Sequence, residues 1–389
     1  MTASRRPASG APSTPPTPAF ALRVVAKAVV LFILVNLAWV GVNPLPAISQ
    51  VSAYNHLFPG RPRLPFGEDP SKAYNLSLFE INAMFAAHEL SAGPKPADEY
   101  RVLLIGDSSV WGFLLKPEDT LAARLNAAHL VMPGSKKVRV YNLGYPIMSL
   151  AKDLLLLDTA ARRYKPDLIV WLVTLESFPA DKQLSHPLLQ HNPELVRQLI
   201  QRYQLQLDAQ DKNFFQPTFW DQTLVGQRRD LADVLRLQLY GVMWAATGID
   251  QDYPASYDRT QSDFEAGDTA FGDLKSPPLP ENYLAFDLLA AGVQAAGTAP
   301  VLFVNEPIFI SQGKNSDIRY DFLYPRWAYD DYRRLLAEES QNRGWNYLDA
   351  WNLVPASEFT NSAVHVTPTG SQLLADKVGD RLLAIARAK

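Results

Sequence analysis

The sequence predicts an α/β protein: a three-layer fold on a five-stranded parallel sheet, with a helical insertion and an N-terminal transmembrane helix. Three observations predict it. From Tyr100 onward, apolar strand-like runs alternate with helical ones, which implies parallel strands joined by crossover helices. That alternation breaks once, over 178–280, where only helical periods occur. Near the N-terminus, AKAVVLFILVNLAWVGV (26–42) is apolar apart from Lys27 and Asn36.

Residues 1–19 contain PASGAPSTPPTP, a Pro/Ser-rich stretch expected to be a disordered cytoplasmic tail. Residues 20–42 are expected to form the membrane anchor. Arg5, Arg6, Arg23 and Lys27 precede any acid, the first of which is Glu68, so the positive-inside rule leaves the N-terminus cytoplasmic and exports the rest. Arg23 and Lys27 can snorkel, extending the span to about 20 residues with Trp39 at the far interface. Two other readings stay open: a signal peptide cleaved near Val51-Ser52-Ala53, and a buried helix of a soluble protein.

Residues 43–97 read as a juxtamembrane connector. Prolines in FPGRPRLPFGEDP forbid regular structure, and AYNLSLFEINAMFAAHEL has the spacing of one amphipathic helix. The domain proper is expected over 98–389, with strands near 101–106, 138–143, 167–174, 300–305 and 345–349. Helices are expected over 119–130, 149–164, 283–296, 329–343 and 367–387. Within the insertion, LVRQLIQRYQLQL and RRDLADVLRLQLYGVMWAA are helical by period. The second carries Leu231, Val234, Leu235, Leu239, Val242 and Met243 on a face expected to pack against the domain.

Composition narrows the chemistry. The absence of cysteine among 389 residues removes disulfides, thiolate catalysis and Cys-based zinc sites. A net charge of −3 gives no sign of a nucleic-acid partner. His186 and His191 lack the spacing of a zinc helix and are expected in a solvated loop; no metal site or cofactor is expected, and no nucleotide-binding glycine motif is present. The chemistry-bearing stretch is VLLIGDSSVWG (102–112). In parallel α/β sheets ligands sit at the carboxyl ends of strands, which puts Asp107 and Ser108 where chemistry is done. His365, in NSAVHVTPTGSQLLA, stands in the loop before the last helix and can reach the same edge.

With these blocks the chain resembles the GDSL/SGNH hydrolase family, over residues 100–389. GDSSVWG resembles the first block, with Ser108 as nucleophile. NLGYP (142–146) resembles the second, in which the N–H of Gly144, with that of Ser108, forms the oxyanion hole. VHVTPTGSQLLA resembles the last, with His365 as general base. The resemblance implies a flavodoxin-like SGNH-hydrolase fold. Two departures stand out. The third block's oxyanion asparagine is missing from Thr174-Leu175-Glu176-Ser177, and the last block's aspartate is replaced by Ser362, beside Asn361. Losing one oxyanion donor costs about a hundred- to a thousandfold, and a neutral residue in the triad acid's place about ten-thousandfold. Asn305 and Glu306, at the end of the fourth strand, are candidates to supply the missing donor or acid. Asn361, Ser362 or a backbone carbonyl is the first candidate to orient His365, with Glu306 second.

The expected function is that of a membrane-anchored extracytoplasmic serine esterase or O-acyltransferase. Its partners would be an acylated small molecule or an envelope polysaccharide, and the membrane through the N-terminal helix. The alternative is a binding or assembly protein of the cell envelope that kept the fold and lost efficient catalysis.

Overall fold

The computed structural model describes residues 17–58, 60–67, 73–259, 269–280 and 282–387. Of the tail expected over 1–19, only 17–19 fall within these.

The central strands of the sheet are apolar on both faces, because both faces are covered. β1 (Glu99–Ile105), β3 (Lys136–Asn142), β4 (Leu168–Val173), β5 (Val301–Asn305) and β6 (Asn346–Asp349) are the parallel strands expected. The sheet has six strands, not five. β2 (Val131–Met132) adds an antiparallel edge on β3, giving the order β2-β3-β1-β4-β5-β6. At two residues with Val131 exposed, that edge is too short to carry a strand's period.

Side chains alternate across the sheet. Val102, Leu104, Val140, Val170, Leu302 and Val304 pack with α2 (Leu121–Ala127) and with the C-terminal helix Pro368–Arg387. On the opposite face, α3 (Leu150–Tyr164) packs beside α6 (Phe286–Ala296), over Trp171. There Gly292 is required by space: an added Cβ would lie 2.3 Å from the Trp171 ring. The insertion supplies α4 (Pro193–Tyr203) and α5 (Arg228–Thr247). The remaining long helices are α7 (Arg326–Arg343) and α8, the C-terminal one already described.

Three expectations are corrected. The helix expected across 73–90 is confined to Ile81–Ala86. Upstream, Asn75 Oδ1 accepts from the Leu76 N–H and from Arg61, and Ser77 bonds both backbone groups of Gly67. Side chains there offer the backbone a non-helical solution. Of the α5 face expected to pack, Val234 is buried and Leu231 half-buried, while Leu235, Leu239, Val242 and Met243 are exposed; the other buried positions are Leu237 and Gly241, outside that face. His186 is not in a solvated loop. It is 1% exposed, its ring bonds Pro146 O and accepts the Leu188 N–H, and burial pushes its pKa down to about 3.

By packing, Pro46–Gln216 with Asp233–Lys389 forms one compact unit, which holds the sheet. α1 (Pro18–Val42) with Pro217–Ala232 forms a second, small one. α1 has 25 residues, with a mean hydropathy of 2.3 over its most apolar 18, long and apolar enough to cross a membrane, and only Asn36 within it is buried.

Candidate active site

The Gly-Asp-Ser turn that ends β1 is a helix start in miniature. Asp107 caps the one-turn helix Ser108–Trp111, its Oδ1 accepting the Ser109 N–H at 2.7 Å. Gly112 closes that turn at φ +88°, a conformation that side chains disfavour. Ser108 is left half-exposed on the first position. Across from it, the loop before α8 brings in His365, whose Nε2 lies 2.7 Å from Ser108 Oγ. On the far side of the ring, Nδ1 lies 3.0 Å from Asn361 Oδ1. An amide oxygen can only accept, so Nδ1 carries the proton and Nε2 is the free base facing the hydroxyl. The Phe113 ring lies 5.0 Å from the imidazole, centre to centre. Burial lowers the His365 pKa to about 4, against a smaller opposing pull from Asp107, so the ring is neutral at neutral pH.

The serine, the glycine block and the histidine block thus meet at one sheet edge in the expected chain order. The fold is a mixed α/β one, with the serine turn and the histidine loop at the carboxyl ends of its strands. No protein-family model and no curated protein matches the chain in sequence. Solved structures similar to it include a member of the lipolytic G-D-S-L family from Veillonella parvula (11% identity, 72% of this chain and 96% of that one, TM-score 0.35). A carbohydrate acetylesterase from Sinorhizobium meliloti is similar at 11% identity (74% and 100%, TM-score 0.33), and an aryl esterase from M. smegmatis at 13% (73% and 98%, TM-score 0.31).

The stretch NLGYP (142–146) is fastened to the serine turn. Asn142 Nδ2 donates to Val110 O at 2.8 Å, while its Oδ1 accepts the Gly144 N–H at 3.0 Å. An added Cβ on Gly144 would lie 2.5 Å from Trp111 N, so only glycine fits. The same contact means that the Gly144 N–H already has a partner and reaches an oxyanion only by sharing its hydrogen. Fully buried Lys152 donates to Gly106 O (2.9 Å) and Tyr145 O (2.6 Å), and pairs with Asp153 at 2.5 Å. Burial raises Asp153 to about 6 despite Lys152 beside it.

The supporting candidates divide. Asn361 meets His365; no bond joins Ser362 to the ring. Asn305, fully buried, is corrected as an oxyanion donor. Its amide donates to Asp349 (2.8 Å) and accepts from Tyr332 (3.1 Å) and Tyr329 (3.3 Å), so both ends are taken. Glu176 pairs with Lys182 at 2.6 Å and takes no part in the serine–histidine contact. Glu306 is corrected as a partner of His365: it accepts from Ser109 Oγ instead. Burial, reinforced by Asp107, pushes its carboxyl well above the usual range, which favours the protonated form beneath the turn. Glu306→Gln is therefore expected to change stability by no more than about 1 kcal/mol and ester turnover only a few-fold. A drop in turnover above tenfold with the melting temperature unchanged would instead give that carboxyl a chemical role.

Sequence reading missed the residues that hold the nucleophile loop. Arg63, 2% exposed, donates to the carbonyls of Trp111 (3.2 Å), Gly112 (2.8 Å) and Leu115 (3.1 Å), and pairs with buried Asp250 through two contacts of 2.7 Å. Gln251 donates to the Gly112 and Leu115 carbonyls and accepts the Leu114 N–H. The connector and the end of the insertion thus clamp the segment bearing Phe113, through pairs about 190 residues apart that no local pattern announces. Arg63→Ala strands Asp250 without its cation, and about 3–5 kcal/mol of stability is expected to be lost. Thermal denaturation of the full chain in detergent measures it, and a melting temperature equal to wild type would show the clamp to be dispensable.

Proposed function

We propose that the chain is a membrane-anchored extracytoplasmic serine esterase or O-acyltransferase, acting on acetyl or similarly small esters of a small molecule or an envelope polysaccharide. The observation that carries this reading is the continuous relay Ser108 Oγ, His365 Nε2, His365 Nδ1, Asn361 Oδ1. In the proposed mechanism Ser108 Oγ attacks the ester carbonyl as its proton passes to His365 Nε2. The tetrahedral oxyanion forms near the N–H of Ser108, with Gly144 contributing a shared hydrogen. Collapse expels the alcohol, which takes the proton from His365 and leaves an acyl-Ser108 ester. Water or a sugar hydroxyl, deprotonated by the same nitrogen, then removes the acyl group. A neutral Asn361 fixes the tautomer but stabilises the imidazolium less than a carboxylate does, so turnover is slow.

Retention of α1 as an anchor is favoured by Ser52, which a cut near 51–53 would disturb. Its hydroxyl caps the helix Ala53–Leu57 and bonds Gln238 at 3.2 Å. Fusions of a compartment-sensitive reporter after Lys389 are expected to be active only outside the cytoplasm; activity confined to the cytoplasm would reverse the topology. Hydrolysis of p-nitrophenyl acetate by the full chain in detergent tests the chemistry. Turnover that survives Ser108→Ala would leave the binding-protein alternative standing.

A further inference from the structure

We infer that the loop 217–227 is an interfacial lipid-contact element, its Phe219 and Trp220 seated among phospholipid headgroups beside the far end of α1. The inference rests on the anchored reading of α1. Asn36 is a polar residue in an otherwise apolar helix, and its side chain is satisfied twice. Nδ2 donates to Phe32 O at 2.9 Å, and Oδ1 accepts the Val225 N–H at 3.2 Å. One turn on, Trp39 Nε1 donates to Gln227 Oε1 at 2.7 Å. These bonds set the loop's depth. At about 1.5 Å per residue, Asn36 and Trp39 lie roughly 9 and 5 Å before the end of α1 at Val42. Counted from Arg23, Asn36 lies about 20 Å, Trp39 about 24 Å and Val42 about 29 Å along the helix, so a helix entering the membrane at Arg23 brings Val42 to the opposite headgroup layer and Asn36 and Trp39 into the hydrocarbon just beneath it.

The loop suits such a medium. Its polar groups are largely satisfied within it: Asp221 accepts from both Thr218 donors, Thr223 N–H and Oγ1 both donate to Trp220 O, and the Gly226 N–H donates to Thr223 Oγ1. What it presents outward is apolar. Phe219 is 59% and Trp220 57% exposed, two adjacent large rings left bare. Arg228 and Arg229, exposed immediately afterwards, add positive charge that suits anionic headgroups. A bilayer interface is where aromatic rings with basic neighbours are stable.

The chain has no cysteine, so single-cysteine probes need no background removal. Full-length Phe219→Cys and Trp220→Cys variants, labelled with an environment-sensitive fluorophore, are placed in nanodiscs of phosphatidylcholine and phosphatidylglycerol. Glu338→Cys, on an exposed part of α7, is the control. The expected result is blue-shifted emission at 219 and 220, quenched at least twofold by lipids spin-labelled near the headgroup and little by aqueous iodide, with the opposite pattern at 338. Iodide quenching at 219 and 220 in a protein that resists alkaline extraction would overturn this inference alone. Labels shielded from both quenchers would also overturn it, pointing to a protein contact. Release of the protein by alkaline extraction would overturn the anchored reading itself.

Discussion

Ser108→Ala is expected to reduce ester turnover by about a hundred- to ten-thousandfold, and His365→Ala to do the same. The range lies below the millionfold loss of a complete Ser-His-Asp triad because an amide stands where a carboxylate would stabilise the imidazolium and the Gly144 N–H is already bonded to Asn142. Serine and histidine act through one 2.7 Å contact, so the double variant is expected to lose no more than either single one. Steady-state hydrolysis of p-nitrophenyl acetate by the purified full chain, before and after each substitution, measures both effects. Additive losses would mean that the two side chains work separately, and unchanged turnover in either single variant would remove the relay from the mechanism.

Asn361→Asp is expected to do the reverse, raising turnover at pH 7 to 8 by about ten- to a thousandfold. A carboxylate 3.0 Å from Nδ1 stabilises the imidazolium formed in each half-reaction, which the amide does poorly. The substitution also moves the pH profile. In the native protein the His365 pKa is pushed down to about 4, so the base is deprotonated above that value and activity falls only as pH drops through about 4. A neighbouring negative charge favours the protonated ring, so the acid limb is expected to shift upward. The pH dependence of kcat/KM for the two proteins tests this. A limb that stays put in the aspartate variant would show that residue 361 does not govern the histidine.

The sequence by itself determined the layers and the order of the chemistry. Apolar runs such as VLLI and LIVWLV, alternating with helical periods, read as central parallel strands because burial on both faces leaves no polar alternation to mistake for anything else. Chain order placed Ser108 and His365 at strand and helix ends that parallel topology brings to one edge. The tertiary structure decided what depends on partners distant in sequence. It chose Asn361 over Ser362 and Glu306 to orient the imidazole, since residue types in a loop do not say which side chain points at the ring. It spent Asn305 on Asp349 and two tyrosines, buried His186, confined the helix expected over 73–90 to Ile81–Ala86 and placed Arg63 on Asp250. Periodicity records which side of an element faces a core. It holds no record of which polar group, from a distant part of the chain, will meet a carbonyl or carboxylate that burial has cut off from water.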